Sequence, residues 1–200
     1  MMDLFHYLDT AWLIKINQAH TQALDQIMWM VSGKFTWVPF YILIIAVLAF
    51  KLKKRALIHI AVAVLVIIIS DQLASSLIKP LFHRLRPSHT PGLNSMLHYV
   101  NNYHGGSYGF VSSHAMNVFA FAFYLFFTVR KKLGWLIPIV FLWALSVAYS
   151  RVYLGVHFPS DVLVPLLISP VLGYALARTY FELIPLFFKA EPITGPIHGA

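Results

Sequence analysis

The segment "SRVYLGVHFPSD", residues 150–161, places an arginine, a histidine and an aspartate between two apolar runs. His157 and Asp161 are four residues apart, so on a helical turn Asp161 can accept a hydrogen bond from one imidazole nitrogen and direct the other nitrogen outward. This is the arrangement of a catalytic base with its orienting carboxylate, in which the imidazole can also act as a nucleophile. The spacing predicts base or nucleophilic chemistry at His157.

A second imidazole lies in the segment "VSSH", residues 111–114, immediately before another apolar run. His114 can protonate a departing oxygen. Because this segment opens a helix, its free backbone N–H groups and the hydroxyls of Ser112 and Ser113 can hold an anion. The segment predicts an acid beside an anion-binding turn.

Four basic residues accompany these segments: Lys79, Arg84, Arg86 and Arg151. Between Lys79 and Leu183 the only carboxylates are Asp161 and Glu182, so internal salt bridges cannot neutralise all four cations. Planar guanidinium groups suit phosphate, and cations stabilise the charge that a phosphoryl transition state spreads over its equatorial oxygens. The cluster therefore predicts an anionic, phosphate-bearing partner.

Each of these residues also has an interpretation that needs no catalysis. Lys79 can be a snorkelling anchor at the end of a membrane span, and Arg84 and Arg86 can contact lipid headgroups. Asp161 can simply cap a helix, because "FPSD" is typical of a helix start. The coincidence of all these residues at one end of the predicted spans favours a shared pocket.

The composition indicates a membrane protein. The 200 residues are 59% hydrophobic and 11% charged, whereas a soluble domain has about 25% charged residues. The chain contains no cysteine, which excludes disulfide and thiolate chemistry. The net charge of +8 resides mostly at the ends of apolar runs, so orientation in the bilayer explains it better than binding of nucleic acid.

Five apolar runs approach the roughly 17–25 residues that a helix needs to cross a bilayer. They cover approximately residues 36–50, 56–78, 115–129, 133–149 and 162–184. We predict an all-α integral membrane bundle that forms one domain over residues 1–200. Residues 1–35 are expected to form N-terminal interfacial or half-spanning helices, with a sixth transmembrane helix as the alternative.

Charge sets the expected orientation. The basic loops at residues 51–55 and 130–132 fall on the same side when spans alternate, and the positive-inside rule makes that side cytoplasmic. The polar loop at residues 80–113 and the connection at 150–161 then face outward. We therefore expect an active-site loop, residues 80–113, on the extracytoplasmic side of a bacterial-type inner membrane.

Taken together, the three segments resemble the type 2 phosphatidic acid phosphatase superfamily. That family carries Lys-x6-Arg-Pro, Pro-Ser-Gly-His and Ser-Arg-x5-His-x3-Asp. The first element fits "KPLFHRLRP", residues 79–87, and the third fits residues 150–161 in full. The middle element departs from the pattern, with Val111 in place of proline and Ser113 in place of glycine.

The resemblance implies a metal-independent membrane phosphatase that acts on a lipid phosphate or diphosphate. Undecaprenyl diphosphate, phosphatidylglycerophosphate, phosphatidate and lipid A phosphates are all compatible with the family. His157 would form a phosphohistidine, Asp161 would orient it and His114 would protonate the leaving group. The resemblance assigns phosphate binding to Lys79, Arg86, Arg151, Ser112 and the backbone near Ser113.

Two further features leave their interpretation open. Arg84 is an extra cation that can contact a second phosphate, as in a diphosphate, or only the membrane surface. Asp71 shares a helical face with Ser75 and Lys79, and we expect it to lie below the pocket and pair with a basic residue, or to steady helix packing.

No cofactor is expected, because the predicted pocket offers few carboxylates for a two-metal site. Four histidines of the 80–113 loop could bind zinc in principle, but their spacing is scattered: His83, His89, His98 and His104. Three alternatives remain, namely a phosphotransferase with the same site, a transporter that uses Asp71 and His59, and a non-catalytic lipid-binding protein. The oligomeric state does not follow from the sequence.

Overall fold

The protein is described here by a computed structural model that covers residues 2–188, with side chains from residue 4 onward. Eight α-helices are present in that part of the chain. In order they are α1 (Met2–Gln18), α2 (Gln22–Ser32), α3 (Val38–Leu52), α4 (Ala56–Gln72), α5 (Lys79–Phe82), α6 (Ser113–Val129), α7 (Leu136–Tyr153) and α8 (Pro159–Phe187). A single isolated β-bridge joins Leu85 to Tyr108, and the described residues contain no strand.

The predicted membrane runs correspond to five helical segments. Within residues 2–188, three helical stretches are long and apolar enough to cross a membrane: Val38–Phe82, Leu136–Tyr153 and Pro159–Phe187. The first contains α3 and α4, which are separated at Lys53, where φ is 51°. The third predicted run, α6, is apolar but only 17 residues long. The prediction of an all-α membrane bundle is confirmed.

Helix α6 forms the centre of the bundle. Ten of its residues are buried, including Ala120, Ala122 and Tyr124. The contact between α6 and α8 is close, because a Cβ atom added to Gly173 would lie 2.7 Å from Phe123 Cβ and 2.9 Å from the Tyr124 backbone nitrogen. Small residues allow membrane helices to approach in this way.

The outer surface of the bundle is apolar. Exposed large side chains include Leu43 on α3, Leu142 on α7 and Leu167 and Val171 on α8. Such a surface suits contact with lipid tails. Helix packing therefore fills the core, and the polar residues of the predicted site lie at one end of the bundle.

Helix α1 reverses the polarity of an ordinary surface helix. Its outer face exposes Leu4, Phe5 and Trp12, whereas Asp9 and Asn17 are buried against the bundle. The polar side of α1 thus faces the end of the bundle where the predicted site lies. The depth of residues 1–35 in the bilayer stays a prediction.

A long loop between α5 and α6 covers that end. It contains short 3-10 turns at Pro87–His89, Asn94–Met96 and Val100–Asn102. Its backbone is held by side chains, since Ser88 Oγ donates to the His104 carbonyl at 2.6 Å and Thr90 Oγ1 donates to the Arg86 carbonyl at 2.9 Å. These hydrogen bonds hold the loop in one conformation, and the loop forms one wall of the site.

Candidate active site

The predicted functional residues meet where α5 ends, α6 begins, α7 ends and α8 begins. The opposite ends of α4 and α6 carry the basic residues of the Lys53–Arg55 turn and Arg130. The three polar segments found in the sequence are therefore brought together at the end of the bundle remote from those basic turns.

His157 is enclosed at the centre of the cluster, with 1% of its side chain exposed. Its Nε2 atom lies 3.0 Å from Arg86 Nη1. A guanidinium can only donate, so Nε2 accepts and the ring proton resides on Nδ1. Nδ1 lies 3.4 Å from Asp161 Oδ2 and forms no hydrogen bond, so the predicted orienting carboxylate is adjacent to the ring without being bonded to it.

The surroundings of His157 keep its imidazole neutral. Burial lowers its pKa well below the usual 6.5, and the positive charges of Arg86, Arg151 and Lys79 lower this pKa further. At neutral pH the ring therefore carries a lone pair on Nε2. A neutral imidazole is the form that can act as a nucleophile.

Asp161 is fully buried and held at both oxygens. Oδ2 accepts from the Phe158 backbone N–H at 3.0 Å, and Oδ1 accepts from Arg84 Nη1 at 2.8 Å. Its backbone carbonyl accepts from the Ser112 N–H at 2.8 Å, which joins the start of α8 to the start of α6. The carboxylate is thus fixed beside His157.

Three cations of the cluster have no carboxylate partner within 4.0 Å among the described residues: Lys79, Arg86 and Arg151. Arg86 is held by backbone oxygens, at 3.2 Å from both the Tyr108 and the Val156 carbonyl. Burial and the charge of Arg151 lower the pKa of Arg86 to about 10, so it remains protonated at neutral pH.

Arg151 and Lys79 are held mainly by hydroxyl groups. Arg151 donates to Ser32 Oγ of α2 and, at 3.3 Å, to the Tyr103 hydroxyl of the long loop. Lys79 Nζ donates to Ser113 Oγ at 2.6 Å. Neutral partners leave the positive charges of both side chains available to an anion.

The first turn of α6 supplies the second histidine. Ser112 is the N-cap, and its Oγ accepts from the Ala115 N–H at 3.4 Å. His114 is half-buried, and its ring makes no side-chain hydrogen bond with the described residues. The structure therefore brings a second imidazole to the cation cluster. No side-chain hydrogen bond with the described residues sets which of its ring nitrogens carries the proton.

Unlike Lys79, Arg86 and Arg151, Arg84 is paired with carboxylates. Its Nη2 donates to Asp9 Oδ2 at 2.6 Å, and its Nη1 donates to Asp161 at 2.8 Å and to Ser160 Oγ at 2.6 Å. The guanidinium also stacks 4.2 Å from the centre of the Phe158 ring. These contacts do not support the expected binding of substrate by Arg84 and favour a positioning role.

Asp71 differs from its expected environment. It accepts from Asn117 Nδ2 at 3.3 Å and forms no salt bridge within the described part of the chain. The expected pairing with a basic residue is not seen as an ion pair within 4.0 Å among the described residues, where Asn117 of α6 contacts the carboxylate instead. The interpretation as a helix-packing residue fits the structure.

Several supporting residues have no signal in the sequence. Asp9 and Ser32 lie on the N-terminal helices, far along the chain from the motifs they contact. Tyr103 and Gly109 lie in the long loop, where a Cβ added to Gly109 would be 2.9 Å from Asp161 Oδ2 and 3.2 Å from Arg86 Cγ. Only the spatial arrangement identifies them.

Known proteins are similar to this chain in sequence and in fold. Residues 60–185 match the PAP2 superfamily. The chain is 35% identical to a lipid A 4'-phosphatase from Bacteroides thetaiotaomicron, over 98% of this chain and 87% of that protein. It is 34% identical to a lipid A 4'-phosphatase from Porphyromonas gingivalis, over 84% of this chain and 70% of that protein.

A solved structure gives the same result. The crystal structure of the transmembrane PAP2 type phosphatidylglycerolphosphate phosphatase from Bacillus subtilis superimposes with a TM-score of 0.65 at 25% identity, over 92% of this chain and 90% of that chain. The family match extends over more than half of the chain, and the first relative is similar over nearly all of it. The chain belongs to the PAP2 superfamily.

Proposed function

We propose that this protein hydrolyses a phosphate monoester on a lipid of the lipid A type, through a phosphohistidine on His157 and without a metal ion. The observation that carries the proposal is the position of His157 Nε2. It is buried, neutral and surrounded by three cations that no described carboxylate neutralises. A phosphate drawn in by those cations would meet the lone pair of Nε2.

The first chemical step uses the donors that the pocket already holds. Phosphate oxygens enter between Lys79, Arg86 and Arg151, and Arg86 Nη1 turns from His157 Nε2 to the phosphate. Nε2 then attacks phosphorus while the bond from phosphorus to the lipid oxygen breaks. The negative charge of the bound phosphate lets His114 take up a proton. His114 gives that proton to the departing oxygen, so the products are a lipid alcohol and phosphohistidine.

The second step restores the free protein. His114, now neutral, takes a proton from a water molecule that attacks the phosphohistidine. The bond from phosphorus to Nε2 breaks, and inorganic phosphate leaves. Asp161 stabilises the positive charge on the imidazole while Nε2 is bonded to phosphorus, as an orienting carboxylate does in other histidine sites.

Two observations favour a single phosphate on the substrate. Arg84 is engaged by Asp9 and Asp161, so the pocket lacks the extra cation that a second phosphate would need. The two relatives that match most of this chain are named lipid A 4'-phosphatases. Together these observations favour a lipid A phosphate over a polyprenyl diphosphate.

The charge pattern supports an extracytoplasmic site. The basic turns at Lys53–Arg55 and Arg130 lie at the helix ends opposite the pocket, and basic loops mark the cytoplasmic side of membrane proteins. The pocket would then open to the outer side of a bacterial-type inner membrane, with residues 80–113 as the active-site loop. The lipid tail would remain in the bilayer beside the apolar helices.

Purified protein in detergent should release phosphate from lipid A in the presence of a chelator. The panel also contains phosphatidate, phosphatidylglycerophosphate and undecaprenyl diphosphate. His157→Ala should lower the rate by on the order of 10³-fold or more, because the nucleophile is lost. The control His83→Ala alters an exposed loop histidine whose ring packs against Tyr108, and it should leave the rate unchanged.

The outcomes of this assay are distinct. Loss of activity on chelation, once the fold is shown to be intact, contradicts the metal-free mechanism. Preference for undecaprenyl diphosphate contradicts the single-phosphate assignment. Transfer of phosphate to a second lipid instead of water assigns a phosphotransferase, and no turnover of any lipid by folded protein favours the binding or transport alternatives.

Arg84→Gln tests whether this residue positions Asp161 or binds substrate. A positioning role predicts a lower kcat, by about tenfold or more, on monophosphate and diphosphate lipids alike, with little change in KM. A direct role in binding a second phosphate predicts a loss on diphosphates alone. The control Arg178→Gln removes an exposed arginine that pairs with Glu182 on α8 and should have no effect.

Gly109→Ala tests the packing of the loop on the catalytic pair. The added methyl group would lie 2.9 Å from Asp161 Oδ2, so the carboxylate or the loop must move. We expect a large fall in kcat with the fold retained. Gly106→Ala is the matched control, because nothing lies within 4 Å of a Cβ added there. Equal activity of the two variants would contradict the described contact.

A further inference from the structure

A second cluster of metal-ligating side chains lies outside the active site. It combines His20 in the α1–α2 connection, Asp25 on α2 and His98 in the long loop, with ligand atoms all within 4.8 Å of one another. His98 Nε2 is 2.8 Å from Asp25 Oδ2. The His20 and His98 rings stack with their centres 3.7 Å apart and their planes 9° apart.

Neighbouring polar groups hold this cluster from behind. Asn17, which is fully buried, clamps the His98 backbone by accepting from its N–H at 2.8 Å and donating to its carbonyl at 2.9 Å. The Tyr153 hydroxyl donates to Asp25 Oδ1 at 2.7 Å. Asp25 Oδ2 therefore stays directed at the two histidines. Orienting partners of this kind are typical around metal ligands.

An ordinary ion pair explains only part of this arrangement. Asp25 and His98 suffice for such a pair, and the Asn17 clamp on the His98 backbone is not needed for it. The pair also leaves His20 unexplained, since a second imidazole is stacked on the first beside the same carboxylate. Two imidazoles and one carboxylate form a ligand set that binds zinc in many proteins.

We propose that His20, Asp25 and His98 bind a divalent transition cation such as Zn²⁺, with water completing the coordination. Zinc–ligand distances of about 2.0–2.2 Å place tetrahedral ligands about 3.4 Å apart. The Asp25–His98 pair would open slightly and His20 would close inward. His20 is exposed, so its ring can turn without disturbing the core.

The site has access to solvent. A cavity of ≈ 510 Å³ is lined by Asp25 and His98 together with residues of α2 and the loop, including Gln22, Trp29 and Asn101. Water and ions can reach the ligand atoms through it. His157 does not line this cavity, so a cation bound there would be separate from the phosphate pocket.

A bound cation would tie the N-terminal helices to the active-site loop. Helix α2 carries Ser32 and the loop carries Tyr103, and both side chains contact Arg151. Joining α2 to the loop through His98 would fix the distance between these two partners. The cation would therefore stabilise the frame that holds Arg151, with no part in the chemistry, so stripping it with a chelator would lower Tm without abolishing phosphate release.

Metal content tests this proposal without relying on activity. The full chain is purified in detergent without a polyhistidine tag, stripped with chelator and dialysed against micromolar Zn²⁺. We expect one zinc per chain and a higher Tm with zinc than without it. His20→Ala should weaken zinc binding by at least about tenfold and abolish the zinc-dependent rise in Tm.

Variants of two other histidines provide the control and one of the contrary results. His89→Ala removes a histidine of the same loop whose Nδ1 is hydrogen-bonded to Ser88 Oγ. This variant should bind zinc as the wild type does. Absence of bound zinc, or unchanged binding in His20→Ala, would overturn the proposal. Loss of zinc in His157→Ala with retention in His20→Ala would place the ion in the phosphate pocket and would also overturn it.

Discussion

The enclosure of three positive charges without carboxylate partners, two of them buried and the third half-buried, is the constraint on which the rest of the site depends. Lys79, Arg86 and Arg151 are held by hydroxyl groups and backbone carbonyls. Removing such charges from water costs free energy that neutral partners only partly recover. The surrounding helices supply that free energy by packing, and the cluster keeps a strong preference for an anion at its centre. Burial and the same charges keep His157 neutral and so preserve its lone pair.

The N-terminal helices complete this frame from outside the region that matches the family. The match covers residues 60–185, yet Asp9 of α1 holds Arg84 and caps α8 through the Ser160 N–H at 2.9 Å. Ser32 of α2 holds Arg151. The polar inner faces of α1 and α2 thus serve the pocket, whereas the apolar outer face of α1 suits lipid. This division between the two faces explains why Asp9 and Ser32 are buried in α1 and α2.

The sequence predicted the helices and the convergence of the motifs because both depend on local patterns. Apolar runs of sufficient length must be helical in a bilayer, and the alternation of such runs brings residues 79–87, 111–114 and 150–161 to one end. The roles given to His157, His114 and Asp161 remain predictions that the geometry supports. The partners of Arg84 and Asp71 could not be predicted, because Asp9 and Asn117 reach them through tertiary packing between helices that are distant in the chain.

Trapping of the phosphorylated protein tests the central claim most directly. Purified protein mixed briefly with labelled lipid phosphate and then denatured should carry label on His157, with the acid lability and base stability of a phosphoramidate. His157→Ala should carry none, and His114→Ala should accumulate label if hydrolysis is slowed more than its formation. Turnover by the wild type without label on any histidine, under conditions that preserve phosphohistidine, would contradict the nucleophilic role of His157. It would instead favour direct attack by water on the lipid phosphate.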